Sequence, residues 1–547
     1  MKVFDIEALN WNNIYAIGIY DGKDVNILTS PVLKNNSFIK WLLDNLADGD
    51  IVYAHNGGKY DFLFIFDFIK SVEGKLLSIK VINASVVMFR VEYDKKRIEF
   101  RDSYAILPSS LKSLTNDFNV KHKKLEMDYT KGLKDTNFYN YFKNDLIGLY
   151  EVLEQSRELT EKLTLASNSM NIFLTDFYQK EYYNNSIAID DIFRLGYMGG
   201  RVEIFKMRGT DLHYYDINSL YPSVMKENEY PLIENKNYRY VNRFYPDVLG
   251  YYYCNIESPD MHIPLLPYRT AKGKLIFPVG KWQGWYYSPE ILKARELGYD
   301  ISIRKGYVFE DTGYIFRDFV NHYYNIKSHS TGAKKAIAKL VLNSLYGKFG
   351  QRHVFDEFII DDDEKARYNY IPSLNLSRRK RISYSKYQHT EIAGLITSYA
   401  RLKLYSLFEK AGMDSVYYCD TDSIITSSLM KTSSALGDIK EEADIEEFIA
   451  LSPKVYAYTE SNKEKVVIKA KGLDSKRLSF ADFQNAITYG NYSNFINEYE
   501  KVASFKLFNT RHLSNFSDKL RTIRRMKSIY DKREILKNFD TKPLIIG

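Results

Sequence analysis

The sequence predicts a multidomain α/β chain, because stretches of alternating apolar residues, typical of strands, occur between segments with helical spacing. Its 547 residues are enough for about three or four domains with cores of their own. Apolar residues make up 45% and charged residues 27%, a balance that excludes a disordered or a fibrous class. No apolar stretch reaches the roughly 18 residues that a membrane span needs, so no membrane helix is expected.

The two cysteines, Cys254 and Cys419, lie far apart in the sequence. This spacing excludes a disulfide framework and a cysteine zinc site, and it fits a reducing compartment. A strand pattern begins already at residue 4, which leaves no room for a signal or transit peptide. We therefore expect a cytoplasmic protein that is not secreted.

Two acidic residues stand in the first predicted strand. Residues 2–8 alternate in character, which places Asp5 and Glu7 on the same face. Adjacent carboxylates repel each other unless a divalent cation lies between them, and Mg²⁺ or Mn²⁺ prefers such oxygen ligands. The alternative is an edge strand whose acidic residues face solvent.

Two later segments extend this acidic set. Residues 51–54 form a predicted strand that leads into a glycine-containing turn presenting Asn56 and Asp61. Further on, i, i+4 spacing places Tyr141 and Asp145 on one helix face. The carboxylates considered together are Asp5, Glu7, Asp61 and Asp145. Four carboxylates can hold two metal ions about 3.5–4 Å apart, an arrangement typical of nucleases that hydrolyse phosphodiesters.

A second acidic set lies in the C-terminal part of the chain. Residues 213–216 form a predicted strand that ends at Asp216 and is followed by a turn. Between two apolar runs, Asp420 and Asp422 occupy a predicted hairpin turn. These three carboxylates predict a second divalent-metal site. The alternative is a surface hairpin with acidic turn residues.

A helix is predicted over residues 332–349, with one basic face and one apolar face. The polar face contains Lys335, Lys339, Asn343 and Tyr346, and the apolar face contains Ile337, Leu340, Val341 and Leu345. Two lysines one turn apart can hold the phosphates of a nucleoside triphosphate. The alternative, an ordinary amphipathic surface helix, leaves Asn343 and Gly347 unexplained, since both residue types are poor helix formers.

The two parts of the chain predict complementary chemistry. Lysines that hold a triphosphate, combined with a carboxylate metal site, are typical of phosphoryl transfer. The separate N-terminal carboxylates supply a nuclease. The sequence therefore predicts a polymerase with proofreading.

The motifs of the chain resemble those of protein-primed family B DNA polymerases of small linear phages and plasmids, of the phi-twenty-nine type. The segments similar to the three exonuclease motifs are Asp5 to Glu7, Asn56 to Asp61, and Tyr141 to Asp145. The segments similar to the palm A, finger B, palm C and KxY motifs are Asp216 to Pro222, Lys339 to Phe349, Tyr418 to Ile424, and Lys454 to Tyr456.

The resemblance implies roles for individual residues. In the palm it implies metal ligation by Asp216, Ile217 and Asp422, with Asp420 beside them and Tyr221 excluding a 2′-OH. Around the incoming nucleotide it implies Ser219, Leu220, Lys327, Lys335, Lys339, Asn343 and Tyr346. For DNA contacts it implies Lys454, Tyr456 and Lys469, with the linker residues Tyr197, Gly199 and Gly200 partitioning the primer between two sites. In the exonuclease it implies catalysis by Asp5, Glu7, Asp61, Asp145, Tyr141 and Lys131, and substrate binding by His55 and Asn56.

The resemblance also implies a domain organisation. A ribonuclease-H-like exonuclease domain would occupy residues 1–165, followed by a right-hand polymerase domain over 166–547. The expected parts of the latter are palm (166–227 and 391–478), first insertion (228–314), fingers (315–350), second insertion (351–390), and thumb with a basic tail (479–547). In the family the two insertions accompany protein priming and strand displacement.

The net charge of +8 is concentrated at the C-terminal end. Residues 501–547 contain twelve Lys or Arg and four Asp or Glu, so they account for the whole excess. Such a block, which includes Arg521, Lys532 and Arg533, can follow the phosphates of duplex DNA. The alternative is a solvated helix face.

As cofactor, the resemblance implies Mg²⁺, with Mn²⁺ as a substitute, in two-metal sites in both domains. The implied partners are template-primer DNA, dNTPs, a terminal protein as primer and a single-stranded-DNA-binding protein, with no membrane. The protein would be a monomer or a heterodimer with the terminal protein. Two alternatives stay open: a family B polymerase that needs no primer, and a DNA-binding exonuclease with an inert palm.

Overall fold

The computed structural model describes residues 1–547 except 10–12, 73–74, 83–84, 129–130, 353, 360–368, 372–375, 383–387, 462–464, 503–519 and 527–529. Within these described ranges, no helix has both the length and the apolar character that crossing a membrane requires. Cys254 and Cys419 are both buried and form no disulfide.

The N-terminal residues fold into a seven-stranded sheet with helices on both faces. Its strands are β1 (Lys2–Leu9), β2 (Asn13–Tyr20), β3 (Val25–Thr29), β4 (Ile51–Ala54), β5 (Lys75–Ile82), β6 (Ser85–Tyr93) and β7 (Lys96–Asp102). Its helices are α1 (Asn35–Asp44), α2 (Asp61–Ser71), α3 (Leu111–Asp117) and α4 (Phe138–Gln155). The strand order is β3-β2-β1-β4-β7-β6-β5, and β4 is parallel to both β1 and β7.

The alternation within β1 decides which side chains reach α4. Phe4 and Ile6 enter the core that contains α1 and α2. Val3, on the opposite face of the strand, joins the core that contains α4. Because side chains alternate along a strand, Asp5 and Glu7 share the face of Val3 and lie on the α4 side.

The next part of the chain contains helices that alternate with short sheets. Its elements are α5 (Leu165–Ile172), α6 (Ile187–Leu195), β8 (Val202–Ile204), β9 (Arg208–Ile217), α7 (Leu220–Glu227), β10 (Tyr230–Pro231), β11 (Arg239–Val241), β12 (Gly250–Ser258), β13 (Tyr268–Arg269), β14 (Leu275–Ile276), β15 (Val279–Tyr287), α8 (Ser288–Glu296), β16 (Asp300–Val308), β17 (Thr312–Gly313), α9 (Arg317–His329), α10 (Gly332–Ser344) and α11 (Tyr346–Phe349). The predicted helix over 332–349 is thus found as α10 and α11. Its polar residues Lys335, Lys339 and Asn343 are exposed, as expected.

The remaining elements complete the C-terminal half of the chain. They are β18 (Val354–Ile359), β19 (Asn369–Ile371), β20 (Leu376–Ile382), α12 (Thr390–Ala411), β21 (Val416–Asp420), β22 (Ser423–Thr426), β23 (Ile439–Ser452), β24 (Val455–Glu460), β25 (Lys465–Ala470), α13 (Phe480–Tyr489), β26 (Ile496–Val502), β27 (Leu520–Met526), β28 (Arg533–Ile535), β29 (Thr541–Pro543) and β30 (Ile545–Ile546).

An antiparallel sheet in the order β25-β24-β23-β9-β22-β21-β8 forms the platform of this half. The predicted hairpin is present as β21 and β22, with Thr421 at a φ of 62° in its turn. The register pairs Ser423 on β22 with Asp216 on β9, so the acidic turn lies beside Asp216. Folding thus joins carboxylates that stand about two hundred residues apart in the sequence.

The C-terminal residues return to the body of the protein. β30 adds in parallel to β15, which belongs to a second sheet in the order β11-β16-β12-β15-β30. Arg533 is only 2% exposed and donates hydrogen bonds to the carbonyl of His262 and to Thr541.

The expectation for the basic tail is therefore corrected at Arg533, because its guanidinium is enclosed by protein and cannot follow DNA phosphates. Lys532 likewise donates to the Val202 carbonyl at 3.0 Å. Arg521 belongs to β27, whose backbone alone is described. The predicted bounds of the domains stay predictions.

Candidate active sites

Three carboxylates of the N-terminal half form a compact ligand set. Asp5, Glu7 and Asp145 each offer an oxygen, and these oxygens lie within 4.8 Å of one another. Asp5 and Glu7 come from β1, and Asp145 from α4, which packs across that strand. Among the described residues, this is the one group of three or more His, Cys, Asp or Glu ligands gathered so closely.

The electrostatics of this set fit a divalent cation. Burial raises the pKa of Glu7 to about 7, and burial also raises the pKa of Asp61 to about 7. The pKa of Asp5 is raised well above its usual value by burial and then by the charge of Asp61. One buried oxygen of Asp61 and one of Asp145 accept no hydrogen bond. Buried carboxylates normally have partners, so these open oxygens suit a metal ligand role.

Tyr141 and a lysine connect the carboxylates to each other. The Tyr141 hydroxyl donates to Glu7 Oε1 at 3.0 Å, and Lys124 Nζ donates to the same hydroxyl at 3.0 Å. Lys124 also forms an ion pair with Asp145. The predicted lysine, Lys131, instead has a side chain that is 61% exposed and pairs with Asp128 at 3.5 Å. The structure therefore places Lys124, and not Lys131, against these carboxylates.

The predicted turn after β4 is rigid. His55 Nε2 lies 2.8 Å from the Ser109 carbonyl oxygen, and Nδ1 lies 3.0 Å from Ser103 Oγ. Burial lowers the pKa of His55 to about 4, so the ring is neutral at pH 7. A Cβ at Gly58 would lie 1.9 Å from the carbonyl oxygen of Val86, so the turn requires glycine there.

Asn56 occupies the same turn in the left-handed region, with a φ of 63°. Its side-chain oxygen is buried and accepts no hydrogen bond. The turn leads into α2, whose first residue is Asp61. Asn56 and Asp61 thus follow the end of β4, as expected, and the hydrogen bonds of His55 fix the turn between them and the strand.

Two of the three predicted palm aspartates have partners of opposite charge. Lys454 Nζ lies 2.9 Å from Asp420 Oδ1, and Lys440 Nζ lies 3.5 Å from Asp216 Oδ1. Burial, followed by the charges of Asp216 and Asp420, raises the pKa of Asp422 to about 6. Asp216 and Asp422 are oxygen ligands held near each other in a partly buried site, a donor set that suits Mg²⁺ or Mn²⁺.

Backbone hydrogen bonds fix the hairpin turn to its neighbours. The Ile217 amide donates to the Asp422 carbonyl at 2.7 Å, and the Thr421 amide donates to the Arg201 carbonyl at 2.7 Å. Both bonds attach the acidic turn to other segments of the sheet. The positions of the carboxylates are therefore set by backbone as well as by side-chain contacts.

The finger helices bring lysines and aromatic rings to the same region. Lys327 Nζ donates to Ser219 Oγ at 2.7 Å. Burial, and then the charges of Lys339, Lys440 and Lys335, lower the pKa of Lys327, so these three ammonium groups act on that of Lys327. Three other residues predicted to lie around the nucleotide are also described. Ser219 has a φ of 53°, and Leu220 is buried at the start of α7. Asn343 is exposed.

Tyr221 and Tyr346 form a stacked pair between α7 and α11. Their ring centroids are 4.3 Å apart and their planes differ by 22°. Burial raises the pKa of Tyr221 above its usual range, and the charge of Tyr346 adds to the shift. Both rings thus keep their protons and present a rigid apolar wall.

The residues predicted to contact DNA lie in the turn between β23 and β24, on β24 and on β25. The Lys454 amide donates to the Tyr418 hydroxyl at 3.0 Å, which fixes this lysine beside the acidic turn. Tyr456 is 5% exposed and stands directly opposite Lys469 in the β24–β25 pair. Lys469 is exposed.

The linker from 197 to 200 is held by residues that the sequence did not single out. Arg401 donates to the carbonyl oxygens of Met198 at 2.6 Å and Gly199 at 3.0 Å. Its guanidinium is buried and paired with Glu290 at 2.8 Å. At Gly200 a Cβ would lie 2.8 Å from Thr421, so the linker touches the acidic turn. Tyr197 is half-buried and packs against Gly350.

Comparison with known proteins decides the family. The family model described as "DNA polymerase type B, organellar and viral" matches residues 46–143 and 134–427, which is more than half of the chain. The chain belongs to this family. Both carboxylate sites therefore lie in a chain of this family.

Relatives of this chain occur in fungi and phages. A "Probable DNA polymerase" of Neurospora intermedia is 29% identical over 526 residues, covering 78% of this chain and 54% of its own length. The chain therefore spans about half the length of that fungal relative. The "DNA polymerase" of Bacillus phage phi29 is 28% identical over 432 residues, covering 71% of this chain and 72% of the phage protein.

The fold is also that of a solved polymerase. The structure described as "Phi29 DNA polymerase complexed with primer-template DNA and incoming nucleotide substrates (ternary complex)" superposes with a TM-score of 0.73 and 21% identity. The match covers 96% of this chain and all of that chain. The predicted fold class, a mixed exonuclease and right-hand polymerase architecture, is confirmed.

Proposed function

We propose that the chain is a template-directed DNA polymerase with a 3′→5′ proofreading exonuclease, protein-primed and strand-displacing, that replicates a small linear phage or plasmid genome. One observation carries this proposal. The acidic turn with Asp420 and Asp422 lies beside Asp216, and the finger lysines around Lys327 lie close to the same point. An anionic triphosphate can therefore bind between cations and a metal-ligating face.

In the polymerase reaction, Mg²⁺ bound by Asp216 and Asp422 would lower the pKa of the primer 3′-hydroxyl and stabilise the departing pyrophosphate. Lys327, Lys335 and Lys339 neutralise the triphosphate and hold it in line for attack. Lys454, whose backbone amide is held by the Tyr418 hydroxyl, positions the primer end beside Asp420. The stacked pair of Tyr221 and Tyr346 closes the space around the sugar, so a 2′-OH would collide with a rigid ring.

In the exonuclease reaction, a divalent ion held by the N-terminal carboxylates would supply an activated water for attack on the last phosphodiester. Tyr141 donates to Glu7 and holds that carboxylate in place. Lys124 supplies positive charge next to Asp145 and Tyr141, where charge develops on the phosphate. Asn56 offers an open amide oxygen to the substrate strand.

The partners follow from the same proposal. Template-primer DNA and dNTPs serve the palm, a terminal protein supplies the priming hydroxyl, and a single-stranded-DNA-binding protein covers the displaced strand. The linker at 197–200 directs the primer to one site or the other, because it contacts the acidic turn at Thr421. A reducing compartment suits the two free cysteines.

The test is extension of a primed single-stranded circle with Mg²⁺ and dNTPs. We expect products longer than one circle, which require both synthesis and strand displacement. Asp422→Asn is expected to make no product and to keep 3′ degradation. Degradation without any synthesis by the unmodified protein would instead indicate an exonuclease with an inert palm.

A further inference from the structure

Lys440 stands directly opposite a predicted metal ligand. In the antiparallel pairing of β23 with β9, Lys440 is the partner of Asp216, so both side chains lie on the same face. The ammonium lies 3.5 Å from Asp216 Oδ1, and it also forms an ion pair with Glu442. The register of β23 shifts just beyond, between Glu441 and Ala443, and such an irregularity can re-aim a side chain.

The palm therefore differs from the exonuclease site in how its carboxylates are neutralised. Two of the three palm aspartates have a lysine ammonium at ion-pair distance, Asp216 with Lys440 and Asp420 with Lys454. Within the described residues, the palm aspartates do not form a set of three ligand oxygens within 4.8 Å. In the exonuclease, where such a set exists, Lys124 reaches Asp145 from one side.

The surroundings of Lys440 explain why its ammonium can be displaced. Its side chain is 48% exposed, so it has room to move towards solvent. It also belongs, with Lys335 and Lys339, to the group of ammonium groups whose charges repel that of Lys327. A triphosphate that binds this group would offer Lys440 a new anionic partner while a divalent ion takes its place at Asp216.

We propose that Lys440 is a positioning residue that acts as the resident counter-ion of Asp216, competing with the divalent cation until a nucleotide arrives. The proposal rests on the proposed function, because it requires a metal site at Asp216. Nucleotide binding would then favour metal binding, and metal binding would favour nucleotide binding, because both require Lys440 to leave Asp216. In the free protein, Lys440 keeps Asp216 from binding a divalent ion tightly.

The test measures Mn²⁺ binding by electron paramagnetic resonance, without nucleotide or DNA. All proteins carry Asp5→Ala/Glu7→Ala, so that the exonuclease carboxylates do not contribute. Lys440→Met should bind Mn²⁺ about three- to tenfold more tightly, the effect of losing one partly exposed ammonium next to the ligand. Lys440→Arg, which keeps the charge, should restore the original affinity to within about twofold.

Lys465→Met is the matched control, because Lys465 is an exposed lysine of the same sheet that pairs with Glu460 at 2.6 Å. Its affinity for Mn²⁺ should be unchanged. Asp216→Asn should weaken Mn²⁺ binding, both alone and together with Lys440→Met. If Asp216→Asn weakens binding while Lys440→Met leaves it unchanged or weaker, the counter-ion role is refuted and the metal site stands. If Asp216→Asn changes nothing, both the palm metal site and the role of Lys440 are refuted.

Discussion

The substitution Asp61→Asn should stabilise the metal-free protein while removing its exonuclease activity. Asp61 is 4% exposed, one of its oxygens accepts no hydrogen bond, and burial raises its pKa to about 7. A carboxyl group whose pKa is higher in the folded than in the unfolded chain binds its proton more tightly when folded. Its ionisation therefore destabilises the fold, and this destabilisation grows as the pH rises from about 4 to 7.

The magnitude follows from the shift in pKa. Between an unfolded value near 3.8 and a folded value of about 7, ionisation at pH 8 costs about 4 kcal/mol, at 1.36 kcal/mol for each pKa unit. At pH 5 the cost falls to about 2 kcal/mol, because the folded carboxyl group is then protonated. Asparagine has no charge to bury, so Asp61→Asn gains most at pH 8 and least at pH 5.

Differential scanning calorimetry in EDTA at pH 8 and pH 5 checks this prediction. For a domain of this size, roughly 2–4 °C of Tm accompany each kcal/mol, so the transition that contains the N-terminal sheet should rise clearly at pH 8. Asp24→Asn, at an exposed position of the same part of the chain, should leave it unchanged. An Asp61→Asn protein that is no more stable at pH 8, or that gains equally at both pH values, would refute the reasoning.

Three further substitutions separate the proposed roles. Lys124→Met should lower the exonuclease rate by about 10²–10³-fold and leave primer extension unchanged. Lys131→Met should alter neither activity. Equal losses in the two variants would contradict the role given to Lys124. Tyr221→Ala should reduce discrimination against ribonucleotides by about tenfold or more, measured as the ratio of kcat/KM for a dNTP to kcat/KM for the matching ribonucleotide. An unchanged ratio would show that the stacked pair is not the steric wall. Arg533→Met should lower the free energy of unfolding in urea by about 2–3 kcal/mol, since the His262 carbonyl and Thr541 lose their hydrogen-bond donor. If the variant instead keeps full stability and changes the salt dependence of DNA binding, Arg533 contacts DNA.

Local patterns in the sequence predicted the elements that carry the chemistry. The alternation around Asp5 matches β1, and the apolar runs beside Asp420 match β21 and β22. The spacing of Lys335 and Lys339 matches the exposed face of α10. These features depend on a single strand or helix, where periodicity alone decides which side chains share a face.

Contacts between distant segments could not be predicted in this way. Lys124 reaches Asp145 only because its loop folds against α4, and no periodic pattern marks that lysine among its neighbours. Lys440 faces Asp216 because of the register between β23 and β9, which the sequence of either strand leaves undetermined. Arg533 stands in a strongly basic stretch, yet it is buried and donates to the His262 carbonyl and to Thr541.

We propose that one chain contains two independent metal-dependent sites, one for synthesis and one for degradation. The most direct test follows a single end-labelled primer-template with Mg²⁺, with and without dNTPs, for three proteins: unmodified, Asp422→Asn, and Asp5→Ala/Glu7→Ala. We predict that Asp422→Asn shortens the primer in both conditions and that Asp5→Ala/Glu7→Ala extends it with dNTPs and leaves it intact without them. Loss of both activities in either variant, in protein that is still folded, would contradict the account.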